Sequence, residues 1–285
     1  LYLGFCVITI PDMDKAINRT RLPATTILAE NGNTHMKIIS KIENQEGVAN
    51  MAEIVRLSDG VMVARGDLGV NVDPCDMPQL QKEIIAKCQA KGKFVITATQ
   101  MLDSMIVNPR PTRAEASDVA NAILDGCDAI MLSGESAVGN YPVESVQYMN
   151  KIALATEAII NYEEKLIELG HDTKHSKSDA IGACVAQCCL TLERVSAVLA
   201  FTETGGTAKR ICKYRPSAPI IACTDTAETC RRLSYYSGVY PVITNYINDI
   251  SMCDDIANEV AKSMDIDENS NIIVVGGFGQ KHGVT

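Results

Sequence analysis

The sequence has no Cys-x-x-Cys and no Cys/His cluster at the spacing of a zinc site, so a structural metal knot is not expected. It has no apolar run near the roughly 20 residues that a membrane-spanning helix needs. It has no excess of positive charge. The formal net charge is −9 and the pI about 5.0, which argues against nucleic acid and anionic membranes as partners. Its eleven cysteines are scattered and odd in number, so they cannot all pair within one chain. That reading favours a reducing, cytoplasmic setting. Cys184, Cys188 and Cys189 fall at helical spacing in an apolar stretch and are expected to be buried as small hydrophobes. The Asn18-Arg19-Thr20 sequon has no other secretory feature beside it.

What is present is an ordinary globular composition, 46% apolar and 21% charged, which excludes a disordered chain. At 285 residues, two domains are expected, divided here at 1–160 and 161–285. Residues 1–8 are apolar, with no initiating Met and no basic start. They read as a strand entered partway, and so as part of a fragment.

Short apolar runs at 1–8, 37–42, 60–64, 94–98 and 129–132 start roughly 25–35 residues apart, the length of a βαβ unit. Helical patterns at 46–57, 79–90, 114–124 and 143–160 lie between or after them. Thr112-x-x-Glu115 reads as a capping box. Near-continuous apolar strands alternating with helices imply a parallel α/β sheet. Five strands fit either an open doubly wound sheet or a (β/α)8 barrel of which three strands are missing. Residues 163–178 read as a helix end and linker. Beyond them, strands at 197–201, 220–223, 239–243 and 271–275 alternate with helices at 179–192, 208–214, 228–235 and 249–263. That is a second, smaller α/β domain.

Polar residues cluster where the first set of strands ends, the end that carries chemistry in barrels. Lys41 and Glu43 share a face of their strand. A bare ion pair explains them as well as a function does. Asp67, just past the next strand, tips the balance, because adjacent parallel strands lie about 4.8 Å apart. Glu43 and Asp67 together offer one cation two hard oxygens without His or Cys, which suits Mg²⁺. A lysine beside Mg²⁺ is what a phosphoryl group in transfer requires. Gly66 lets backbone approach an anion closely. Thr99 alone reads as a satisfied strand-end hydroxyl.

Five segments then resemble the signatures of the pyruvate kinase family, in family order and spacing. They are Ile38 to Gly47 around Lys41 and Glu43, Met62 to Gly69 around Arg65-Gly66-Asp67, and Ala98-Thr99-Gln100-Met101-Leu102. The other two are Pro109 to Glu115 with Ser117 to Asn121, and Met131-Leu132-Ser133-Gly134-Glu135. The resemblance is dense over 29–150 and looser to 285. It implies an incomplete TIM (β/α)8 barrel, about five of eight strands without the lid domain, followed by a C-terminal regulatory α/β domain. It implies Mg²⁺- (or Mn²⁺-) dependent phosphoryl transfer from phosphoenolpyruvate to ADP, giving pyruvate and ATP in glycolysis. Lys41 would stabilise the phosphoryl group, and Glu43 and Asp67 would hold the metal. Gly66 and Asp67 would offer backbone N–H groups to the substrate carboxylate. Thr99 would stand at the site of enolate protonation, with Ser133 and Glu135 behind it. Arg113 would cross to a partner subunit of a homo-oligomer, a tetramer in the family.

The loop Thr202-Glu203-Thr204-Gly205-Gly206-Thr207 resembles the family's effector phosphate loop, with Glu203 an unlike member. Phe278 and Gly279 stand where effector-responsive members carry Trp and Arg, which argues against sugar-bisphosphate activation. The family's K⁺ ligands, three strands and lid would precede Leu1. Leu1–Val7 resembles the fourth strand, with Cys6-Val7 where Ser-Phe is usual, and 18–26 fits no family pattern. The fragment alone is therefore expected to be inactive. A non-catalytic truncated subunit or binding module is the alternative, and a Mg²⁺-dependent aldolase or lyase acting on pyruvate-like substrates is a weaker one.

Overall fold

The computed structural model describes residues 5–9, 29–32, 36–170, 176–244 and 251–276. The sequon, the 18–26 segment, Leu1 to Gly4 and the loop beyond Gly276 lie outside them. The chain divides into two compact units, Leu1–Ile160 and Asn161–Thr285. Among the described residues, no helix is long and apolar enough to cross a membrane.

In the first unit, β1 (Phe5–Thr9) and β2 (Lys37–Ile42) are followed by α1 (Gln45–Ala49), α2 (Met51–Leu57), β3 (Gly60–Ala64), α3 (Arg65–Asn71) and α4 (Met77–Ala90). Then come β4 (Phe94–Ala98), a 3₁₀ turn (Asp103–Ile106), α5 (Arg113–Asp125), β5 (Ala129–Met131), α6 (Gly134–Ala137) and α7 (Pro142–Glu157). The strands pair in parallel in the order β1-β2-β3-β4-β5. A doubly wound sheet reverses its order partway. This one does not, as befits a barrel wall. Ile42, Val61, Val63 and Val95 pack on one face against Ile54, Ile84, Ile85, Val119 and Ala122 of the helices. Alternation turns Ile39, Met62, Ala64, Phe94 and Ala98 to the other face, where they too are buried.

In the second unit, α8 (Tyr162–Gly170) and α9 (Lys177–Thr191) precede β6 (Val195–Phe201), α10 (Gly206–Lys213), β7 (Ile220–Thr224), α11 (Ala227–Leu233), β8 (Val239–Ile243), α12 (Ser251–Ser263) and β9 (Asn271–Gly276). These strands are parallel in the order β8-β7-β6-β9. Val198, Ala200, Ile220 and Ala222 face α9, α10 and α11, whereas Ala197, Leu199, Phe201 and Ile221 face α12. The order changes direction at β6, which makes the end of that strand a switch point where ligands bind in such sheets.

Local chemistry explains the boundaries that the sequence pattern misplaced. The helix expected over 46–57 is two helices. Asn44 caps the first by accepting from Gly47 N–H at 2.7 Å, and Asn50 breaks the run while donating its amide to the Glu46 carbonyl. Part of the expected linker is α8, a helix carrying the Lys165–Glu168 pair. Thr112 and Glu115 do form the capping box of α5. The burial expected of three cysteines holds for one. Cys189 shares a face with Val185 in the core, Cys188 is half-buried and Cys184 is exposed, because α9 meets the sheet on one side only. The ten cysteines from Cys75 to Cys253 are free thiols.

Candidate active site

Parallel pairing brings the carboxyl ends of β2 to β5 to one rim. Lys41 Nζ stands there between two carboxylates, 2.6 Å from Glu43 Oε2 and 3.3 Å from Asp67 Oδ2. The two acidic oxygens are thus no further apart than those distances laid end to end. The Glu43 side chain is 12% exposed and that of Asp67 64%, so one is walled in and the other open. The short contact with Glu43 raises the Lys41 pKa against the opposing effect of burial, and Asp67 adds to it. The lysine is therefore a firm ammonium. Beyond that ion pair, no group among the described residues donates to the buried Glu43 Oε2. It keeps acceptor capacity in a place shielded from bulk water.

The next strand end supplies Arg65, Gly66 and Asp67 in the first turn of α3. Gly66 N–H donates to Thr99 Oγ1 at 2.7 Å, and Thr99 Oγ1 donates in turn to the Ala98 carbonyl at 2.7 Å. A Cβ on Gly66 would come 3.3 Å from the Thr99 oxygen, so glycine permits the close approach. In this arrangement the Gly66 N–H is engaged by the threonine hydroxyl.

Thr99 and Gln100 both have left-handed backbone, with φ of 68° and 52°. Arg65 holds this turn, a function that sequence reading missed. Its guanidinium, only 10% exposed, donates to the Thr99 carbonyl at 2.7 Å and the Gln100 carbonyl at 3.2 Å. It is itself fixed by Asp118 at 2.7 Å and Gln81 at 3.3 Å. Bonds to backbone carbonyls leave no residue pattern in a sequence, and only the isolated arginine at a strand end could have drawn attention.

Glu135 is 1% exposed, with Oε1 accepting Leu102 N–H at 3.1 Å and Oε2 accepting Ser133 N–H at 2.7 Å. It braces the segment behind Thr99. No hydrogen bond among the described residues joins Glu135 to the threonine hydroxyl. Arg113 is exposed in the first turn of α5.

In the second unit, the residues from Thr202 to Thr207 leave the end of β6 at its switch point. Thr202 N–H donates to the Cys223 carbonyl, and Thr229 Oγ1 donates to the Glu203 carbonyl, each at 2.9 Å. Gly205 caps α10 with φ of 85° and packs on Leu233. An added Cβ at Gly206 would lie 3.5 Å from an Arg210 nitrogen and 3.7 Å from Thr204 Oγ1. Arg210 therefore gives the loop the basic neighbour that its own residues lack, one helical turn on.

Two family models match the chain: pyruvate kinase, barrel domain, over residues 18–146, and pyruvate kinase, alpha/beta domain, over 179–285. The chain belongs to the pyruvate kinase family. A pyruvate kinase of Sporosarcina psychrophila is 51% identical over 252 residues, which are 88% of this chain and 43% of that protein. One of Clostridium acetobutylicum is 53% identical over 221 residues, which are 77% of this chain and 46% of the relative. The solved structure of a pyruvate kinase from Cryptosporidium parvum superposes with a TM-score of 0.86 at 39% identity, covering 92% of this chain and 54% of that one. The chain thus spans about half the length of the pyruvate kinases it matches. The parallel wall of β1 to β5 is part of a pyruvate kinase barrel, and the sheet of β6 to β9 belongs to the family's alpha/beta domain.

Proposed function

We propose that residues 1–160 are part of the barrel domain of a pyruvate kinase and 161–285 its regulatory domain, and that the rim of β2 to β5 is its phosphoryl-transfer site. The whole enzyme would pass a phosphoryl group from phosphoenolpyruvate to ADP, yielding pyruvate and ATP. The observation that carries this is the ammonium of Lys41 set between Glu43 and Asp67. The donor set fits a hard divalent ion, since it comprises two carboxylates, one of them with a buried oxygen to which no described group but the Lys41 ammonium comes close enough to pair. No group of three or more His, Cys, Asp or Glu that could hold a metal occurs among the described residues. Mg²⁺ or Mn²⁺ takes about six ligands, so on Glu43 and Asp67 it would leave positions for water and substrate oxygens. When bound, the ion supplies neutralising charge to the phosphoryl and enolate oxygens.

The remaining work falls to the chain's own groups. Lys41, held charged by its neighbours, donates to a phosphoryl oxygen as negative charge moves between donor and acceptor. Thr99 Oγ1 sits at the rim with its position fixed by Gly66 N–H, and is suited to hold a proton or a water where the enolate is protonated. Ser133 and Glu135 keep the segment behind it in place. Arg113 is open to a partner subunit, in line with a homo-oligomer in the cytoplasm. The Thr202 to Thr207 loop, with Arg210, would take the phosphate of an effector. K⁺ in the whole enzyme would draw its ligands from elsewhere than these residues.

The test is a Mn²⁺ titration of the purified 285-residue chain followed by electron paramagnetic resonance. The chain should bind one ion, and Glu43→Gln and Asp67→Asn should each abolish that binding. Unchanged binding in both variants would overturn the site. A coupled assay for pyruvate should show little or no turnover by this chain alone, because reactive groups must be positioned together for phosphoryl transfer.

A further inference from the structure

Two ligands on different strand ends make a metal site only if something fixes the distance between their backbones, because a misplacement of about 0.5 Å spoils such a constellation. Nothing in the Asp67 side chain does so, since it is 64% exposed and its ion pair is to the end of the long Lys41 side chain rather than to backbone. The backbones are joined further out. Asn71 ends α3, one turn beyond Asp67. Its side-chain nitrogen donates to the Asp67 carbonyl at 2.8 Å and to the Glu43 carbonyl at 3.3 Å. The loop answers in the opposite direction: Gln45 Nε2 donates to the Asn71 carbonyl at 2.8 Å. One amide thus touches the backbones of both candidate metal ligands, and a second amide ties its own backbone to the loop that carries Glu43.

We infer that Asn71, with Gln45 as its counterpart, is a positioning residue that sets the Glu43–Asp67 separation for the shared divalent ion. The inference rests on the metal reading given above. The chemistry needs an amide here. A single –NH₂ offers two protons and serves two carbonyls at once, whereas a carboxylate has none to offer and would face both oxygens unfavourably. A helix end that merely needed capping would require only the bond to its own carbonyl at Asp67. The reach across to Glu43 and the return bond from Gln45 add a link between two strand ends.

The experiment measures Mn²⁺ affinity and urea unfolding of the full chain for wild type, Asn71→Ala, Gln45→Ala and Asp67→Asn. Asn71→Ala should weaken Mn²⁺ binding by about 10-fold, the low end for groups that hold ligands in place, and Gln45→Ala by less. Both should remain folded under the titration conditions, so that the loss reports geometry rather than unfolding. Wild-type affinity in Asn71→Ala and Gln45→Ala, with binding abolished in Asp67→Asn, would overturn the positioning role and leave the metal site standing. Wild-type affinity in Asp67→Asn would remove the metal site itself, and the positioning role with it.

Discussion

Replacing Arg65 with lysine isolates what the guanidinium does for the turn after β4. Two successive non-glycine residues, Thr99 and Gln100, are left-handed there. Each costs roughly 1–2 kcal/mol, so about 2–4 kcal/mol must be offset locally. Arg65 contributes the bonds that do it, reaching both carbonyls of the turn while Asp118 and Gln81 hold its far side. Lysine keeps the charge and an ion pair with Asp118, but its compact ammonium cannot span both carbonyls and Gln81 as a planar fork does. The loss should be about 2–3 kcal/mol, in line with hydrogen bonds to charged groups. Native-state hydrogen exchange reads it directly. The Gly66 amide is bonded to Thr99 Oγ1 and the Leu102 amide to Glu135, so both report on the turn. Their protection should fall by roughly 30- to 150-fold in Arg65→Lys. Adding Gln100→Gly should recover about 1 kcal/mol, because glycine removes the left-handed penalty at some cost in chain entropy. Unchanged protection at both amides in Arg65→Lys would refute the idea that this residue holds the turn.

Two further outcomes follow from groups elsewhere in the first unit. Thr97 is fully buried in β4 and its hydroxyl has no hydrogen-bond partner among the described residues, so the isosteric Thr97→Val should raise stability by about 1 kcal/mol in urea unfolding, and a loss would show that the hydroxyl is bonded. Glu115 lies below the usual glutamate range: burial pushes it up, but bonds from the Ser104 and Thr112 N–H and hydroxyl groups outweigh that. A lowered folded-state pKa means that its stabilisation is complete above about pH 4.3 and is lost as pH falls through the lower folded value. Acid unfolding of Glu115→Gln should therefore start from a stability lower by about 1–2 kcal/mol at neutral pH and lose less than wild type across that window.

The sheet was legible because buried parallel strands are apolar throughout. The expected runs at 37–42, 60–64, 94–98 and 239–243 match the observed strands residue for residue. Helices whose signal was not apolar periodicity were harder. The residues of α3 include two glycines and an arginine–aspartate pair, and Leu68 is its one buried residue, so it carries no apolar periodicity to read. α8 is rich in glutamate and reads as solvent-exposed linker, although the Lys165–Glu168 pair, three residues apart, supports it as a helix. Among the site residues, the meeting of Lys41, Glu43 and Asp67 followed from alternation and strand adjacency alone. The duties of Arg65, Glu135 and Asn71 did not, since each acts on main-chain atoms of residues 20 or more positions away or in another loop, and a main-chain atom is the same whatever residue bears it.

The pairing of β2 with β3 sets Lys41 beside Met62 and Ile42 beside Val63. Sliding β2 by a single step would swing the ammonium among Val61, Val63 and Ile84, and expel Ile42 toward the rim. A lone cation forced into hydrocarbon loses several kcal/mol of hydration, more than the roughly 1.5–3 kcal/mol at stake for the isoleucine. The group proposed to meet the phosphoryl oxygens therefore also penalises the misaligned sheet, so that chemistry and correct assembly select the same lysine.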